Sequence, residues 1–382
     1  MENESVYLDY AATTPLDKRV LDAMMPYLTD YFGNPSSLYS YGRRARQAVA
    51  RARLQVADLI GAEPEEIFFT SGGSESDNWV LRDIAHTQRE AGLGRHIIVS
   101  SVEHHAVLET CKGLEKEGFS VTYLPVDAQG RVSTATVEAA MREDTILLSI
   151  MLANNEVGTT EPMGSISLLC QESNVFCHTD AVQAVGHLPI NVHTLSVDAL
   201  SISGHKLYGP KGIGALYLRS GWSIEPLIRG GSQERGLRAG TENVAGIVGL
   251  GEAAAIALEE MARERTRLTE LREKLIHAIL TIDGAWINGH RTKRLPGNIS
   301  FGIKGIDHET LLIRLDLLGF AVSAGSACSA GSVEPSHVLL AMGQSKEQAD
   351  SAVRVTIGRF TTEADIDSFF AALCDAVDSM RG

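Results

Sequence analysis

Between residues 96 and 218 short apolar runs alternate with stretches of helical period, and this alternation restricts the possible folds more than any other feature. The strand-like runs lie at 96–100, 120–124, 146–150, 175–178, 198–202 and 213–218. Helix-like pieces near 105–117, 134–142 and 163–173 separate the earlier ones. Repeated strand–helix alternation predicts an α/β domain with a mostly parallel sheet. Ligands of such sheets sit beyond the carboxyl ends of the strands. Upstream, helical periods at 16–32 and 42–61 precede a strand at 67–69 and a helix running to about residue 90. The longest helical pattern, 243–280, has the length of a bridge to a second unit. Beyond it come a strand at 298–303, a helix at 308–318, a loop of small residues at 323–332, a helix near 345–352, a strand at 353–357 and a final helix at 362–380. That order predicts a smaller α+β unit.

Composition narrows the function classes. The 382 residues are 44% hydrophobic and 21% charged, ordinary for a globular chain with a sizeable core. A net charge of −14 argues against a general nucleic-acid or anionic-membrane surface, because both need a basic excess. No apolar run is long enough to span a bilayer, and the acidic start Met1-Glu2-Asn3-Glu4 lacks the apolar core of a signal peptide. The five cysteines are scattered and form no CxxC pair, which fits a reducing cytoplasm.

Six short segments carry the chemistry. Thr70-Ser71-Gly72-Gly73-Ser74-Glu75-Ser76 stands between a strand and a helix, where glycines expose backbone N–H groups. It reads equally as a phosphate cup or as a plain N-cap by Ser71 or Ser74. His104 and His105 follow a strand end; neighbouring side chains diverge on a helix and no second ligand cluster exists, so no metal site is expected. His104 is instead a ring that could stack on a flat cofactor. Asp180 closes a strand as either a helix cap or a buried anion opposite a heteroaromatic N–H⁺. Lys206, in Ser203-Gly204-His205-Lys206, is either a loop cation or an amine for covalent chemistry with an aldehyde. From Ser323 to Ser332 every residue except Cys328 is Gly, Ala or Ser. Such a loop has little to pack, so Cys328 reads as a mobile nucleophilic thiol. Arg354 lies inside an alternating strand, as a salt-bridged core arginine or as a bidentate partner for a substrate carboxylate.

Together these segments resemble the cysteine desulfurases of the NifS/IscS type. The resemblance rests on Thr-Ser-Gly-Gly-Ser-Glu-Ser at 70–76, Glu-His-His-Ala-Val-Leu at 103–108 and Asn-Asn-Glu-Val-Gly at 154–158. It continues through His-Thr-Asp-Ala-Val-Gln at 178–183, Ser-Gly-His-Lys at 203–206, Arg-Ala-Gly-Thr at 238–241 and Gly-Ser-Ala-Cys at 325–328. It implies an α/β fold of the aspartate-aminotransferase type that binds pyridoxal 5'-phosphate. It further implies a large cofactor-binding domain at 16–257, and a small domain made of 1–15 plus 258–382 that carries the cysteine loop 323–335. Three positions depart from the common pattern: Ser74 replaces a threonine, Tyr39 a histidine and Ala324 a serine.

The resemblance also implies residue roles. Lys206 bonds to the cofactor aldehyde, Asp180 faces the ring nitrogen, and His104 stacks on the ring. Gln183 and Asn155 lie beside the ring hydroxyl. Gly73, Ser74, Ser203 and His205 hold the phosphate, and Thr241 reaches the phosphate of a neighbouring subunit in a homodimer. Arg354 holds the substrate carboxylate, with Asn155 beside the substrate, and Cys328 attacks the sulfur of L-cysteine. The products are L-alanine and a Cys328 persulfide, whose sulfur passes to an acceptor such as an iron–sulfur scaffold or a thiolation enzyme. Selenocysteine lyase and a non-catalytic sulfur carrier are the competing readings.

Overall fold

The structure, a computed structural model, describes residues 5–325 and 335–382. Its strands among these residues are β1 (Val6–Tyr7), β2 (Ile67–Thr70), β3 (His96–Ser100), β4 (Ser120–Leu124), β5 (Thr145–Ser149), β6 (Phe176–Asp180), β7 (Ala199–Ser203), β8 (Gly214–Leu218), β9 (Ala285–Asn288), β10 (Asn298–Ile303), β11 (Phe320–Ala321) and β12 (Ala352–Thr356). Seven form one sheet in the order β2-β8-β7-β6-β5-β3-β4. Only β8 runs against its neighbours; the pairs from β7 across to β4 are parallel. A three-stranded antiparallel sheet, β12-β10-β9, and a short parallel pair, β1-β11, complete the set.

The central strands read as unbroken apolar runs because both faces of the large sheet are covered. Alternate residues go to opposite sides. Ile98, Leu148, Cys177 and Leu200 enter one core, while Ile97, Leu147, Phe176 and Ala199 enter the other. The helix Val244–Ile279 spans 36 residues because its two halves serve different cores. Ile247, Leu250 and Ala254 pack with the large sheet, whereas Leu268, Leu275 and Ile279 pack with Phe301, Val355 and Phe369 around the small sheet. At Gly251 this helix passes so close to the helix Ser40–Ile60 that a Cβ would stand 2.6 Å from Ala52 Cα.

Two expectations need correction. The helix near 345–352 is shorter, Lys346–Ala349, because the chain is already in β12 from Ala352, and an unexpected short helix, His337–Ala341, precedes it. The strand β9 was missed: three half-buried residues and a buried asparagine at a sheet edge leave too short an apolar run to read. No described helix is long and apolar enough to cross a membrane.

Candidate active site

Strand ends define the site. β6 ends on Asp180, β7 on Ser203, and β2 on Thr70; β3 and β5 lead to His104 and Asn155. Because β2 and β7 both run antiparallel to β8, all five carboxyl ends lie along one edge of the sheet. Just beyond that edge is a cavity of ≈ 680 Å³. Gly73, Ser74, His104, Asn155, Asp180, Gln183, Ser203, His205, Lys206 and Arg354 all line it.

Lys206 closes a single 3₁₀ turn, Gly204–Lys206, that follows β7 directly. Its Nζ donates to the carbonyls of Ala11 and Ala12. Its own carbonyl accepts from His187 Nε2 at 3.2 Å, so the backbone at this lysine is fixed from behind. Asp180 is buried, and its Oδ1 accepts from Val182 N at 2.9 Å. Burial pushes this carboxyl above its ordinary range, while His104 and Lys206 pull it back. A cation brought against it would favour the charged form. His104 caps the helix His105–Lys116, with Nδ1 accepting from Ala106 N at 3.1 Å. Burial holds its pKa below the usual imidazole value.

The opposite end of the cavity suits an anion. The helix Gly73–Glu90 starts behind Gly72 with no side-chain cap, and neither Ser71 nor Ser74 caps it. The plain N-cap reading of this segment therefore fails. Glu75 turns back to accept from Ser71 N at 2.8 Å and pairs with Arg238 at 2.9 Å, and Gly73 and Ser74 face the cavity. A Cβ at Gly73 would lie 2.6 Å from Val182, so only glycine lets this turn approach so closely. His205 Nδ1 is hydrogen-bonded to Thr13 Oγ1 at 3.1 Å, and burial, with Lys206 and Lys211 nearby, lowers its pKa to about 4.

Arg354 comes from the small sheet. It is 2% exposed and pairs with Asp9 at 2.7 Å. Its Nη1 donates to the carbonyls of Asn155 at 3.2 Å and Gly325 at 3.1 Å. Its Nε is buried with no hydrogen-bond partner among the described residues. Gln183 Nε2 donates to Ala11 O at 3.0 Å.

Among the described residues, one expected site residue does not line the cavity. Thr241 is exposed, in the segment before the helix Val244–Ile279. Cys328 lies outside the described residues. Sequence reading missed four cavity residues: Asp77, Glu156, Lys211 and His337. Asp77 stands four residues after Gly73 and hence on the same helix face. It is buried, with Oδ1 3.7 Å from His178 Nε2. Among the described residues no His, Cys, Asp and Glu groups cluster as metal ligands.

Comparison with known proteins agrees with this geometry. Residues 6–369 match the class-V aminotransferase family. A cysteine desulfurase IscS of Methanosarcina thermophila is 50% identical over 380 residues, covering 100% of this chain and 94% of that protein. The chain belongs to the cysteine desulfurases of the class-V aminotransferase family. Another cysteine desulfurase IscS, from Dictyoglomus turgidum, is 52% identical over 377 residues, 98% of this chain and 95% of its own. Among solved structures, a NifS-like protein superposes with a TM-score of 0.92 at 40% identity, covering 98% of this chain and 100% of that one. SspA in complex with cysteine gives 0.82 at 39% identity, covering 93% and 99%. The cofactor of this family is pyridoxal 5'-phosphate. The cavity fits it, with an uncapped helix start and hydroxyls for a phosphate, a buried carboxylate for a ring N–H⁺, and a lysine amine for an aldehyde.

Proposed function

We propose that the chain removes sulfur from L-cysteine, releasing L-alanine and carrying the sulfur as a persulfide on Cys328. The observation that carries this reading is the convergence of Lys206, Asp180, His104 and Arg354 on one cavity. When bound there, pyridoxal phosphate supplies an electron sink for the substrate amine carbon. Lys206 would hold it through its aldehyde, with Asp180 the partner for its ring nitrogen and His104 for its ring. Gln183 and Asn155 would serve its hydroxyl, and Gly73, Ser74, Ser203 and His205 its phosphate.

The protein groups then divide the work. Arg354 receives the substrate carboxylate, with Asn155 beside it. What supports that role is its burial in the cavity wall and an Nε–H with no acceptor among the described residues. Lys206, once its amine is released, moves protons at the substrate Cα. The Cys328 thiolate attacks the substrate sulfur. A sulfur–sulfur bond forms, the carbon–sulfur bond breaks, and a proton replaces sulfur on Cβ. L-Cysteine and one thiol thus give L-alanine and one persulfide, with no outside oxidant.

The wider setting is part of the same reading. The chain works as a homodimer in the cytoplasm, with Thr241 at the neighbouring subunit's phosphate. The exposed Leu28, Phe32, Leu38 and Tyr41 favour a surface that meets a second copy. Its persulfide passes to an acceptor protein for iron–sulfur cluster assembly or thiolation. The chain divides into a large unit at 16–257 and a small unit of 1–15 plus 258–382; the core that joins Leu8 to residues between 268 and 377 supports that division. The test is sulfide and alanine release from L-cysteine with a reductant. Cys328→Ala is expected to abolish sulfide release while the cofactor absorbance persists. Full activity in that variant would remove the persulfide from the reaction.

A further inference from the structure

The two flanks of the segment that carries Cys328 meet at one side chain. Glu156 is buried, 3% exposed, and lines the cavity. Its backbone N–H is held by Asn154 Oδ1 at 2.9 Å, and the next N–H, of Val157, by the same atom at 2.9 Å. The turn that presents Glu156 is therefore fixed independently of its side chain. On one side, Ser336 Oγ donates to Glu156 Oε2. Ser336 also caps the helix His337–Ala341, accepting from Leu339 N at 3.2 Å, so the carboxylate holds the start of that helix. On the other side, Gly325 lies against the same Oε2, and a Cβ there would overlap it. The Gly325 carbonyl is meanwhile held by Arg354 at 3.1 Å. Glu156 thus sits between the last described residues before Cys328 and the first ones after it.

We infer that Glu156 is a positioning residue for sulfur transfer: its carboxylate holds the Ser336 flank of the Cys328 segment by a hydrogen bond and packs against the Gly325 flank, which Arg354 holds. This inference rests on the reading of Cys328 as the sulfur acceptor. The residues between these flanks are covalently tied to both, so the reach of the Cys328 thiol is set by where the two ends are held. Fixed ends raise the effective concentration of the thiol at the substrate sulfur; freed ends lower it. The hydroxyl-to-carboxylate bond suits this task because it is short and directional. A side chain at Gly325 would press on the carboxylate that accepts from Ser336.

The test uses the full-chain holoenzyme and follows the single-turnover rate at which Cys328 gains sulfur from L-cysteine. Glu156→Ala is expected to slow that step about tenfold while KM for cysteine stays within about twofold. Glu156→Gln keeps an oxygen that accepts from Ser336 and is expected to recover most of the rate. Ser336→Ala is expected to match Glu156→Ala, and the double variant to be no slower than either single one. Should Glu156→Ala fail to fold, Ser336→Ala and Glu156→Gln carry the same comparison. A wild-type single-turnover rate in Ser336→Ala would overturn the inference, as would losses that multiply in the double variant or a loss confined to KM. The Cys328→Ala control separates the two levels. If it leaves turnover intact, the persulfide reading fails; if it abolishes sulfur transfer while Ser336→Ala does not slow it, only the role of Glu156 fails.

Discussion

The wall of the cavity that carries Asp180 and Lys206 hangs from the carboxyl ends of adjacent parallel strands, while the facing wall reaches it from the small sheet. On the first wall, β6 and β7 are locked by backbone pairing of Asp180 with Ser201, and a single turn puts Lys206 beyond it. Residue positions there follow from the sheet itself. The facing wall is held by side chains. Arg354 ties β12 to Asp9, Asn155 and Gly325, and Glu156 ties Ser336. A wall built from backbone tolerates loss of a side chain without moving; a wall built from side chains does not. Changes on the first wall should therefore remove chemistry and leave the shape intact, and changes on the second should alter substrate handling.

Lys206→Ala sets the upper limit of that contrast. It is expected to lower turnover roughly a thousandfold or more and to abolish the visible absorbance of the covalently held cofactor, with little change in melting temperature. Asp180→Asn keeps the shape and removes the anion. Turnover is expected to fall roughly a hundredfold, with a shifted cofactor spectrum, since one preorganised electrostatic partner is commonly worth that much. On the facing wall, Arg354→Lys keeps the charge but loses the planar fork. KM for cysteine is expected to rise about tenfold or more, with a smaller change in kcat, measured by steady-state sulfide release. A KM effect from Asp180→Asn equal to that from Arg354→Lys would erase the distinction between the walls.

The behaviour of Glu103 under the first wall sharpens the contrast through pH. It is buried; its Oε1 accepts from Ser100 Oγ at 2.5 Å and Met151 N at 2.9 Å, and burial raises its pKa from 4.5 to about 8. Between those values the folded protein keeps a proton that the unfolded chain has lost, so this group's stabilisation is lost as pH rises toward about 8. Glu103→Gln is expected to flatten the fall in stability with pH by up to about 1.4 kcal/mol per pH unit in denaturant titrations. The smallest effect belongs to Arg238→Ala. It breaks a partly exposed pair with Glu75, and a stability loss of about 1 kcal/mol or less is expected from thermal unfolding.

The same division explains what was legible in the sequence. Short strands followed by small or polar residues give both the parallel sheet and its functional edge, so Asp180, Ser203 and Lys206 could be found from local pattern. Their convergence needed only the rule that ligands gather at strand ends. Glu156 and Ser336 meet across 180 residues through one side-chain contact, and no local pattern announces that. Asp9, the partner of Arg354, lies 345 residues from it in an N-terminal segment that reads only as extended chain. Asp77 was hidden for another reason: an acidic residue in the first turns of a helix is ordinarily explained by the helix dipole.

The most direct measurement is the mass of the Cys328 peptide after one turnover of the holoenzyme with L-cysteine, taken alongside the alanine released. One added sulfur atom on Cys328 per alanine formed, absent in Lys206→Ala, is the expected result. Alanine formed in full yield with Cys328 unchanged in mass would contradict it.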